Sequence, residues 1–478
     1  MQQPNILLIA TDHWPWNLFS GMGHPVVQTP TLDRIALAGT RFGSAYSECP
    51  VCIPARRTLM TGMTPRSHGD RLYKDKLEMP DGPTLAGSLA GAGYQCYATG
   101  KLHVHPQRDR IGFHDVQLHE EGRRKPGVID DYEWFLADAG QHGQAFAHGM
   151  GNNNYEVRPW HLADNLHPTN WTTEQTVRFI KRRDPRKPGF WYCSYAAPHP
   201  PLTPLREYLD LYRRLPVELP ESAAWAAVAD ALPFGLQQRI HGFRHLTPEM
   251  IRDALRGFYA LVTHIDHQIR LLIGTLREEG LLSNTVIAFT SDHGDMLGWN
   301  GLWGKRMMYD GSNRVPLIFA GNPFRARYGA AGTDDRLTGL QDLMPTLLDL
   351  AGVPVPGSVD GLSLLSPDRR AYLYGECSED ETAVRMIATE DYKLIYHPSG
   401  NRFQLFDRRA DPREGNDLWG QAEFREIGQQ LAETLAGELY GDDLSWLDDD
   451  RNWRGIPLRT AGRPADLGLQ GQRGIHFP

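Results

Sequence analysis

Residues 49–62, with the sequence CPVCIPARRTLMTG, combine two cysteines, two prolines and two arginines. Pro54 suits the first turn of a helix and Gly62 suits a helix end, so the spacing predicts that Cys52 lies at a helix N-terminus. Backbone N–H groups and the helix dipole favour an anion there. Arg56, one turn further on, adds a positive charge. We therefore expect an acidified nucleophile at Cys52 and an anionic substrate.

Zinc binding, redox chemistry and a purely structural role are the other interpretations of this cysteine pair. A zinc site needs a second Cys or His pair at ligand spacing, and none follows Cys49 and Cys52 closely. The residues alone do not exclude a Cys-x-x-Cys redox pair, although the Pro-Ala-Arg that follows is not typical of a thioredoxin-like context. Burial as a structural residue is the common fate of a single cysteine. The same Pro-Ala-Arg favours a functional cysteine instead.

Four further polar residues, Asp12, Lys101, His199 and Asp292, each follow an apolar run that is typical of a buried parallel strand. Helical patterns separate these runs, which predicts an α/β fold with a largely parallel central sheet flanked by helices. Ligands bind outside the carboxyl ends of the strands in such sheets, so the four residues are expected to share one site. The predicted strands are 5–10, the end of 82–101, 190–201, 285–294 and 315–321, and the predicted helices are 29–42 with Gly39 at its end, the start of 82–101, 173–183, 254–280 and 342–353.

The sequence changes character after about residue 365. Short strand-like segments with turns predict a smaller C-terminal β-rich (α+β) domain over 366–478, beside a catalytic domain over 1–365. The tail from residue 440 is rich in Gly, Pro and Asp and lacks periodicity. It is expected to be either an ordered arm or a disordered end. Trp446 and Trp453 favour an arm, and packing on a neighbouring subunit would make the protein a homo-oligomer.

The composition of the 478 residues is that of an ordinary globular enzyme, with 41% hydrophobic and 23% charged residues. A net charge of -8 argues against nucleic-acid binding. The start of the chain has no basic segment typical of a signal peptide, and no stretch approaches the ~20 apolar residues of a membrane helix. Five scattered cysteines do not form a disulfide framework. We expect a cytoplasmic protein that binds no membrane.

Several of these segments together resemble the sulfatase family, within the alkaline phosphatase superfamily. Residues 52–62 resemble the signature C-x-P-[SA]-R followed by Leu/Met-Thr-Gly, with Ile53 where a small residue is more usual. Residues 93–103, GYQCYATGKLH, are similar to a second signature, G-Y-…-G-K-x-H, and depart from it at Cys96 and Thr99. The segment TSDHG at 290–294, the APHPP turn and the TDH near the start match in the family's order. The resemblance implies an alkaline-phosphatase-like fold.

In that family the cysteine is oxidised after translation to formylglycine, whose hydrate is the nucleophile. Carried over to this chain, the resemblance implies that Cys52 is modified by a formylglycine-generating enzyme and that Arg56 holds the hydrate. It further implies that Lys101 and Lys305 neutralise sulfate oxygens, that His199 protonates the leaving alcohol, and that His103 is the base that releases sulfate. These six residues are the predicted catalytic set.

The resemblance also implies one divalent cation, with Asp12, His13, Asp292 and His293 as its predicted ligands. Paired carboxylates suit Ca²⁺, which is the first expectation. His13 stands where many sulfatases have a second aspartate, and imidazole suits transition metals better, so Mn²⁺ is also expected to be compatible. His13 either coordinates the cation or lines the pocket.

The expected activity is hydrolysis of a small sulfate monoester to an alcohol and inorganic sulfate. A phosphonate monoester hydrolase or phosphodiesterase of the same superfamily is the alternative, and it can carry the same formylglycine. Lys101 and His103 favour sulfate, whereas His13 and His293 mildly favour the alternative. A catalytically silent binding protein is a third possibility, which the intact Cys-Pro-Arg motif opposes. The residues do not distinguish sugar, aryl and alkyl sulfates.

Overall fold

The computed structural model describes residues 3–121, 128–329 and 331–462. Within these ranges, eight strands form a central sheet in the order β4-β3-β5-β1-β6-β7-β2-β8. The strands are β1 (Asn5–Thr11), β2 (Thr40–Tyr46), β3 (Gln95–Gly100), β4 (Asp115–Leu118), β5 (Gly189–Ser194), β6 (Thr285–Ser291), β7 (Leu317–Ala320) and β8 (Gly332–Gly339).

Strand pairing in this sheet is mostly parallel. β1 runs parallel to β5 and β6, β3 runs parallel to β4 and β5, and β2 runs parallel to β8. β7 is antiparallel to both of its neighbours. The prediction of an α/β fold with a largely parallel sheet is therefore confirmed. The continuous apolar runs arise because β1, β5 and β6 are buried along their whole length, with helices on both faces.

Helices cover the sheet and connect its strands. Those of the described residues are α1 (Pro30–Ala38), α2 (Cys52–Thr61), α3 (Pro65–His68), α4 (Leu85–Gly91), α5 (Asp131–Asp138), α6 (Pro168–Lys181), α7 (Arg206–Arg213), α8 (Phe234–Phe243), α9 (Pro248–Glu278), α10 (Asp310–Asn313), α11 (Asn322–Tyr328), α12 (Leu343–Ala351) and α13 (Arg425–Glu438). The long amphipathic helix predicted over 254–280 is α9, which begins earlier. Thr247 accepts the Met250 backbone N–H, and Pro248 is the first helical residue, so the helix begins six residues before the predicted start at 254.

A second, antiparallel sheet follows in the described C-terminal residues, in the order β12-β11-β10-β9. Its strands are β9 (Leu373–Cys377), β10 (Val384–Ala388), β11 (Tyr392–His397) and β12 (Arg402–Asp407). This confirms the predicted β-rich C-terminal region. One hydrophobic cluster joins this sheet to the main body, since Tyr46 and Met308 pack in the same core as Met386 and Ile395. The domain boundary at 365/366 stays a prediction.

The tail packs on its own chain up to residue 462. Trp446 is buried, and the Trp453 ring lies 4.3 Å from the Tyr396 ring of β11. The tail therefore begins as an ordered arm, and residues 463–478 of the predicted tail lie outside the described residues. Among the described helices, none is long and apolar enough to cross a membrane.

Candidate active site

Helix α2 places Cys52 at its N-terminus, as the sequence predicts. Val51 is the N-cap, and the Ala55 N–H donates to the Val51 carbonyl at 2.9 Å. The helix ends at Gly62, whose φ of 66° lies in the left-handed region. A Cβ there would meet a Val359 methyl at 2.8 Å, so both conformation and space favour glycine.

The ends of four adjacent strands bring the distant polar residues together. Thr11 of β1 pairs with Ser291 of β6, so the residues that follow them, Asp12 and Asp292, are neighbours. Lys101 follows β3, and its backbone N–H donates to the Ser194 carbonyl at the end of β5 at 2.9 Å. His199 lies in the turn after β5. Because β3, β5, β1 and β6 are adjacent in the sheet, the four residues meet at one edge.

Gly100 makes this close approach possible. Its φ is 89°, and a Cβ at this position would lie 1.9 Å from the Ser194 carbonyl oxygen, far inside contact distance. Any other residue would push β3 away from β5 and displace Lys101 from the site.

Three polar groups surround the sulfur of Cys52. The Lys305 Nζ lies 2.6 Å from Sγ, His293 Nε2 lies at 3.4 Å, and Asp12 Oδ1 lies at 3.7 Å. Burial and the Asp12 carboxylate oppose ionisation, but Lys101, Lys305 and His293 outweigh them and lower the pKa of the thiol. The position is therefore built to hold negative charge.

Arg56 lies under this centre and is almost completely buried. Its Nε donates to Asp292 Oδ2 at 2.9 Å, and its Nη1 donates to the Lys101 carbonyl and to Ser194 Oγ, both at 2.8 Å. Nη2 has no hydrogen-bond partner among the described residues. The guanidinium thus connects the ends of β3, β5 and β6 by hydrogen bonds, and its Nη2 can donate to a further group.

Lys101 is fully buried between two carboxylates. Its Nζ donates to Asp12 Oδ2 and to Glu121 Oε1. Burial raises the pKa of Asp12, but Lys101 and Lys305 outweigh burial and hold that pKa well below its ordinary value. Asp12 is therefore ionised and faces the centre as a charged ligand.

Four buried residues offer a set of ligand atoms for a metal ion. One ligand atom from each of Asp12, Cys52, Asp292 and His293 lies within 4.8 Å of all the others. This set contains three of the four predicted metal ligands and the position of the nucleophile. The fourth, His13, groups instead with Asp12 and His199 by the same criterion.

The orientation of His13 is fixed by a carboxylate that the sequence did not single out. His13 Nδ1 lies 2.6 Å from Asp295 Oδ2, which also accepts the Tyr155 hydroxyl. The other Asp295 oxygen accepts the backbone N–H groups of Leu297 at 2.9 Å and Gly304 at 3.0 Å. Burial and then Lys305 lower the pKa of His13 to about 4, so the ring is neutral with its hydrogen on Nδ1.

The other ring nitrogen, His13 Nε2, is buried, lies 3.8 Å from Asp12 Oδ1 and has no hydrogen-bond partner among the described residues. A buried acceptor without a partner is costly unless a ligand completes it. An imidazole whose other nitrogen donates to a carboxylate is the arrangement that metal-binding histidines adopt.

His199 is held in a similar way. Its Nδ1 lies 2.5 Å from the Pro200 carbonyl, which only accepts, so Nδ1 carries the hydrogen and Nε2 is the basic atom. Nε2 lies 3.9 Å from Glu121 Oε2 and has no hydrogen-bond partner in the described part of the chain. Burial lowers the pKa of His199 well below its ordinary value. His199 is therefore neutral here and must gain a proton before it can donate one.

His103 lies in the loop that follows Lys101, with a φ of 61°. Its backbone N–H donates to Glu120 Oε1 at 2.8 Å, and its ring makes an edge contact with Tyr73. These contacts fix the loop but do not link the ring to Cys52. The role of His103 as a base stays a prediction.

Sequence reasoning missed Asp295 and Glu121. Asp295 lies three residues after Asp292 in SDHGD. Its position beside a segment that matches the family could have identified it as a site residue. Glu121 lies in a loop without a motif, and its contacts with Lys101 and His199 arise only from the fold.

Two family models and several known proteins match this chain. A family described as "Sulfatase" matches residues 4–353, and one described as "N-sulphoglucosamine sulphohydrolase, C-terminal" matches residues 298–439. An arylsulfatase of Clostridium perfringens is 35% identical over 96% of this chain and 99% of its own length. A choline-sulfatase of Rhizobium meliloti is 30% identical over 87% of this chain and 82% of its own.

Solved structures share the fold. A phosphonate monoester hydrolase of Agrobacterium radiobacter has a TM-score of 0.77 and 22% identity, covering 95% of this chain and 100% of its own. A protein solved with its substrate D-glucosamine-2-N,6-O-disulfate has a TM-score of 0.72 and 24% identity, covering 91% and 97%. The chain belongs to the sulfatase family. The predicted family, fold class and activity, hydrolysis of a sulfuric ester, are thereby confirmed.

Proposed function

We propose that the chain hydrolyses a sulfate monoester with a formylglycine nucleophile derived from Cys52 and with one divalent cation. The observation that carries this proposal is the convergence on residue 52 of Lys305 at 2.6 Å, His293 at 3.4 Å and Asp12 at 3.7 Å. Position 52 also starts a helix, so its backbone N–H groups and dipole add to the positive potential. This field suits an anionic nucleophile and an anionic ester.

The residues present fit a divalent cation. Asp12, Asp292 and His293 supply two carboxylates and an imidazole, all buried, and residue 52 supplies a fourth ligand atom. The unpartnered Nε2 of His13 favours His13 as a further ligand. Carboxylates suit both Ca²⁺ and Mn²⁺, and imidazoles suit transition metals better than Ca²⁺, so both ions are candidates. When bound, the cation supplies Lewis acidity toward a sulfate oxygen and lowers the pKa of the nucleophilic hydroxyl.

The chain's own cations then act on the ester. Lys305 contacts residue 52 and stabilises negative charge on the sulfuryl oxygens as it develops. Lys101 keeps Asp12 ionised and oriented, and its charge adds to the same field. Arg56 fixes Asp292 and directs its remaining Nη2 donor toward the centre, where it lies 3.8 Å from Asp12 Oδ2.

His199 is the group proposed to protonate the leaving oxygen. It is neutral in this structure, and the Glu121 carboxylate at 3.9 Å favours its charged form. An anionic sulfate ester adds a second negative charge beside the ring and favours proton uptake further. His103 remains the proposed base for the release of sulfate.

Turnover of p-nitrophenyl sulfate and of a phenyl phosphonate monoester tests the substrate class. We expect kcat/KM for the sulfate to exceed that for the phosphonate. The fold shared with the Agrobacterium hydrolase and the paired histidines His13 and His293 support the phosphonate alternative. A kcat/KM that is much higher for the phosphonate would establish that alternative instead.

We also propose a modifying enzyme, a cellular location, a division into domains and a mode of self-association. A formylglycine-generating enzyme must act on Cys52 before this residue is buried in the folded chain, since the sulfur is fully inaccessible here.

We further propose a cytoplasmic location, a catalytic domain over 1–365 with a C-terminal domain over 366–478, and self-association through the tail. Size-exclusion chromatography of the full chain and of a chain ending at residue 462 tests whether the tail mediates self-association.

A further inference from the structure

Two neighbouring histidines each leave one ring nitrogen without a partner beside the proposed catalytic centre. His13 is 2% exposed and His199 is 6% exposed, and their ring centroids lie 4.4 Å apart. Neither His13 Nε2 nor His199 Nε2 has a hydrogen-bond partner among the described residues. A buried polar atom of this kind is costly unless a ligand completes it. Two such nitrogens side by side therefore indicate one ligand that contacts both.

The other nitrogen of each ring donates a hydrogen bond and so fixes the ring. His13 Nδ1 donates to Asp295 Oδ2 at 2.6 Å, and His199 Nδ1 donates to the Pro200 carbonyl at 2.5 Å. A carboxylate or a backbone carbonyl holds metal-binding histidines in the same way. Both rings therefore have the tautomer and the fixed orientation of metal ligands before an ion arrives.

Asp12 adds a carboxylate to the two imidazoles. One ligand atom from each of Asp12, His13 and His199 lies within 4.8 Å of the other two. Asp12 Oδ1 lies 3.8 Å from His13 Nε2 and 3.4 Å from His293 Nε2. This oxygen therefore faces both the group of three and the residues proposed to hold the first cation.

The charges around the group of three indicate which kind of ion it suits. Glu121 Oε2 lies 3.9 Å from His199 Nε2, whereas the Lys305 ammonium lies 4.0 Å from Asp12 Oδ1. Lys101 donates to both Asp12 and Glu121. The two lysines thus offset the two carboxylates, and Ca²⁺, which needs many oxygen ligands, gains little here. Two neutral imidazoles suit an ion that binds nitrogen strongly.

We infer that Asp12, His13 and His199 form a second metal site, which prefers Zn²⁺ to Ca²⁺ and is distinct from the cation site at Asp292 and His293. Two imidazoles and one carboxylate are the ligands of zinc sites that keep a fourth position open. The inference goes beyond the proposed function, because binding here requires no turnover. Bound Zn²⁺ would take the Nε2 lone pair of His199 that must receive a proton, so we expect Zn²⁺ to inhibit sulfate hydrolysis. This consequence alone rests on the proposed function.

Titration of the full chain with Co²⁺ in saturating Ca²⁺ tests the second site directly. The visible absorption of Co²⁺ reports its coordination by imidazole, and elemental analysis of the same samples gives the Ca²⁺ that remains bound. Zn²⁺ is then added as the competitor. The variants are His13→Asn and His199→Asn for the second site and Asp292→Asn for the first. His142→Asn, which removes an exposed histidine after α5, is the matched control.

We expect one Co²⁺ to bind per chain without release of Ca²⁺, and one Zn²⁺ to displace it. His13→Asn and His199→Asn should each weaken Co²⁺ binding at least about tenfold, since a direct ligand matters no less than an outer partner. Asp292→Asn should lose Ca²⁺ affinity and keep the Co²⁺ spectrum, and the control should match the wild type.

Release of one Ca²⁺ for each Co²⁺ bound would reveal a single shared site and overturn the inference. Unchanged Co²⁺ affinity in a folded His199→Asn protein would overturn it as well. A wild type that binds Co²⁺ as expected but hydrolyses no sulfate ester would instead refute the proposed function and leave the second site in place.

Discussion

The Lys305 ammonium lies 2.6 Å from the sulfur of Cys52, although 253 positions separate the two residues in the chain. The backbone of the preceding residue, Gly304, donates to Asp295, and Asp295 also holds His13. One buried carboxylate thus positions both the lysine that faces the nucleophile and a candidate metal ligand.

Replacement of Lys305 by alanine removes the cation nearest to residue 52. We expect kcat for p-nitrophenyl sulfate to fall by about 10²–10³, the range for loss of one group that stabilises transition-state charge. Lys181→Ala, which removes an exposed lysine on α6, is the matched control and should leave kcat unchanged. Equal activity of the Lys305→Ala variant and the control would show that Lys305 has no part in the reaction.

Replacement of Asp295 by asparagine removes the charge that fixes the His13 hydrogen on Nδ1. If His13 binds the cation, the affinity for a transition metal such as Mn²⁺ should fall about 10- to 100-fold, as for other losses of an outer carboxylate. Chelator competition measures this affinity directly, and Asp138→Asn on the surface of α5 is the control. Unchanged Mn²⁺ affinity in a folded Asp295→Asn protein would exclude His13 as a ligand.

Replacement of Arg56 by methionine leaves the Asp292 carboxylate buried without its partner. In the presence of a chelator, we expect the free energy of unfolding to fall by about 3–5 kcal/mol. Arg34→Met removes an exposed guanidinium on α1 and should change stability little. Urea unfolding measures both variants, and similar stabilities would mean that Arg56 does not hold the strand ends together.

The buried Glu48 carboxyl group should make the free energy of unfolding depend on pH, independently of catalysis. Burial, and then the nearby Asp342, raise the pKa of Glu48 from 4.5 to about 7 in the folded chain. The folded state thus binds the proton more tightly than the unfolded state. Protonation of Glu48 therefore stabilises the folded state. This stabilisation is fully present below the pKa of Glu48 in the unfolded chain and is lost as the pH rises toward 7.

Glu48→Gln removes this titration and keeps an acceptor for the Gln341 N–H. We expect the wild type to lose more stability than the variant between about pH 5 and about pH 8 in urea unfolding. Parallel pH profiles for the two proteins would show that Glu48 does not titrate in this range.

Much of the fold and part of the site could be predicted from local sequence. The apolar runs that end at Asp12 and Asp292 identify parallel strands, because strands buried on both faces need continuous apolar residues. Pro54 lies in the first turn of α2 and Gly62 follows its last residue, because each meets a backbone requirement near one helix end. Strands β2, β4 and β8 were missed, and the predicted helix 29–42 extended into β2. The sequence of β8, GTDDRLTG, is polar over an exposed half and lacks alternation.

Contacts between distant segments were the part that sequence could not supply. Nothing local to Glu121 indicates that it meets Lys101 and His199, and nothing local to His13 indicates that Asp295 holds its ring. The grouping of His13 with His199 rather than with Asp292 likewise depends on ring orientation, which only the packed structure determines.

Mass spectrometry of a tryptic digest tests the chemical state of residue 52 most directly. Cleavage after Arg41 and Arg56 releases residues 42–56, which contain both Cys49 and Cys52. After alkylation, we predict one alkylated thiol, at Cys49, and an aldehyde in place of sulfur at residue 52. Two alkylated thiols in the active enzyme from its native host would contradict the formylglycine nucleophile.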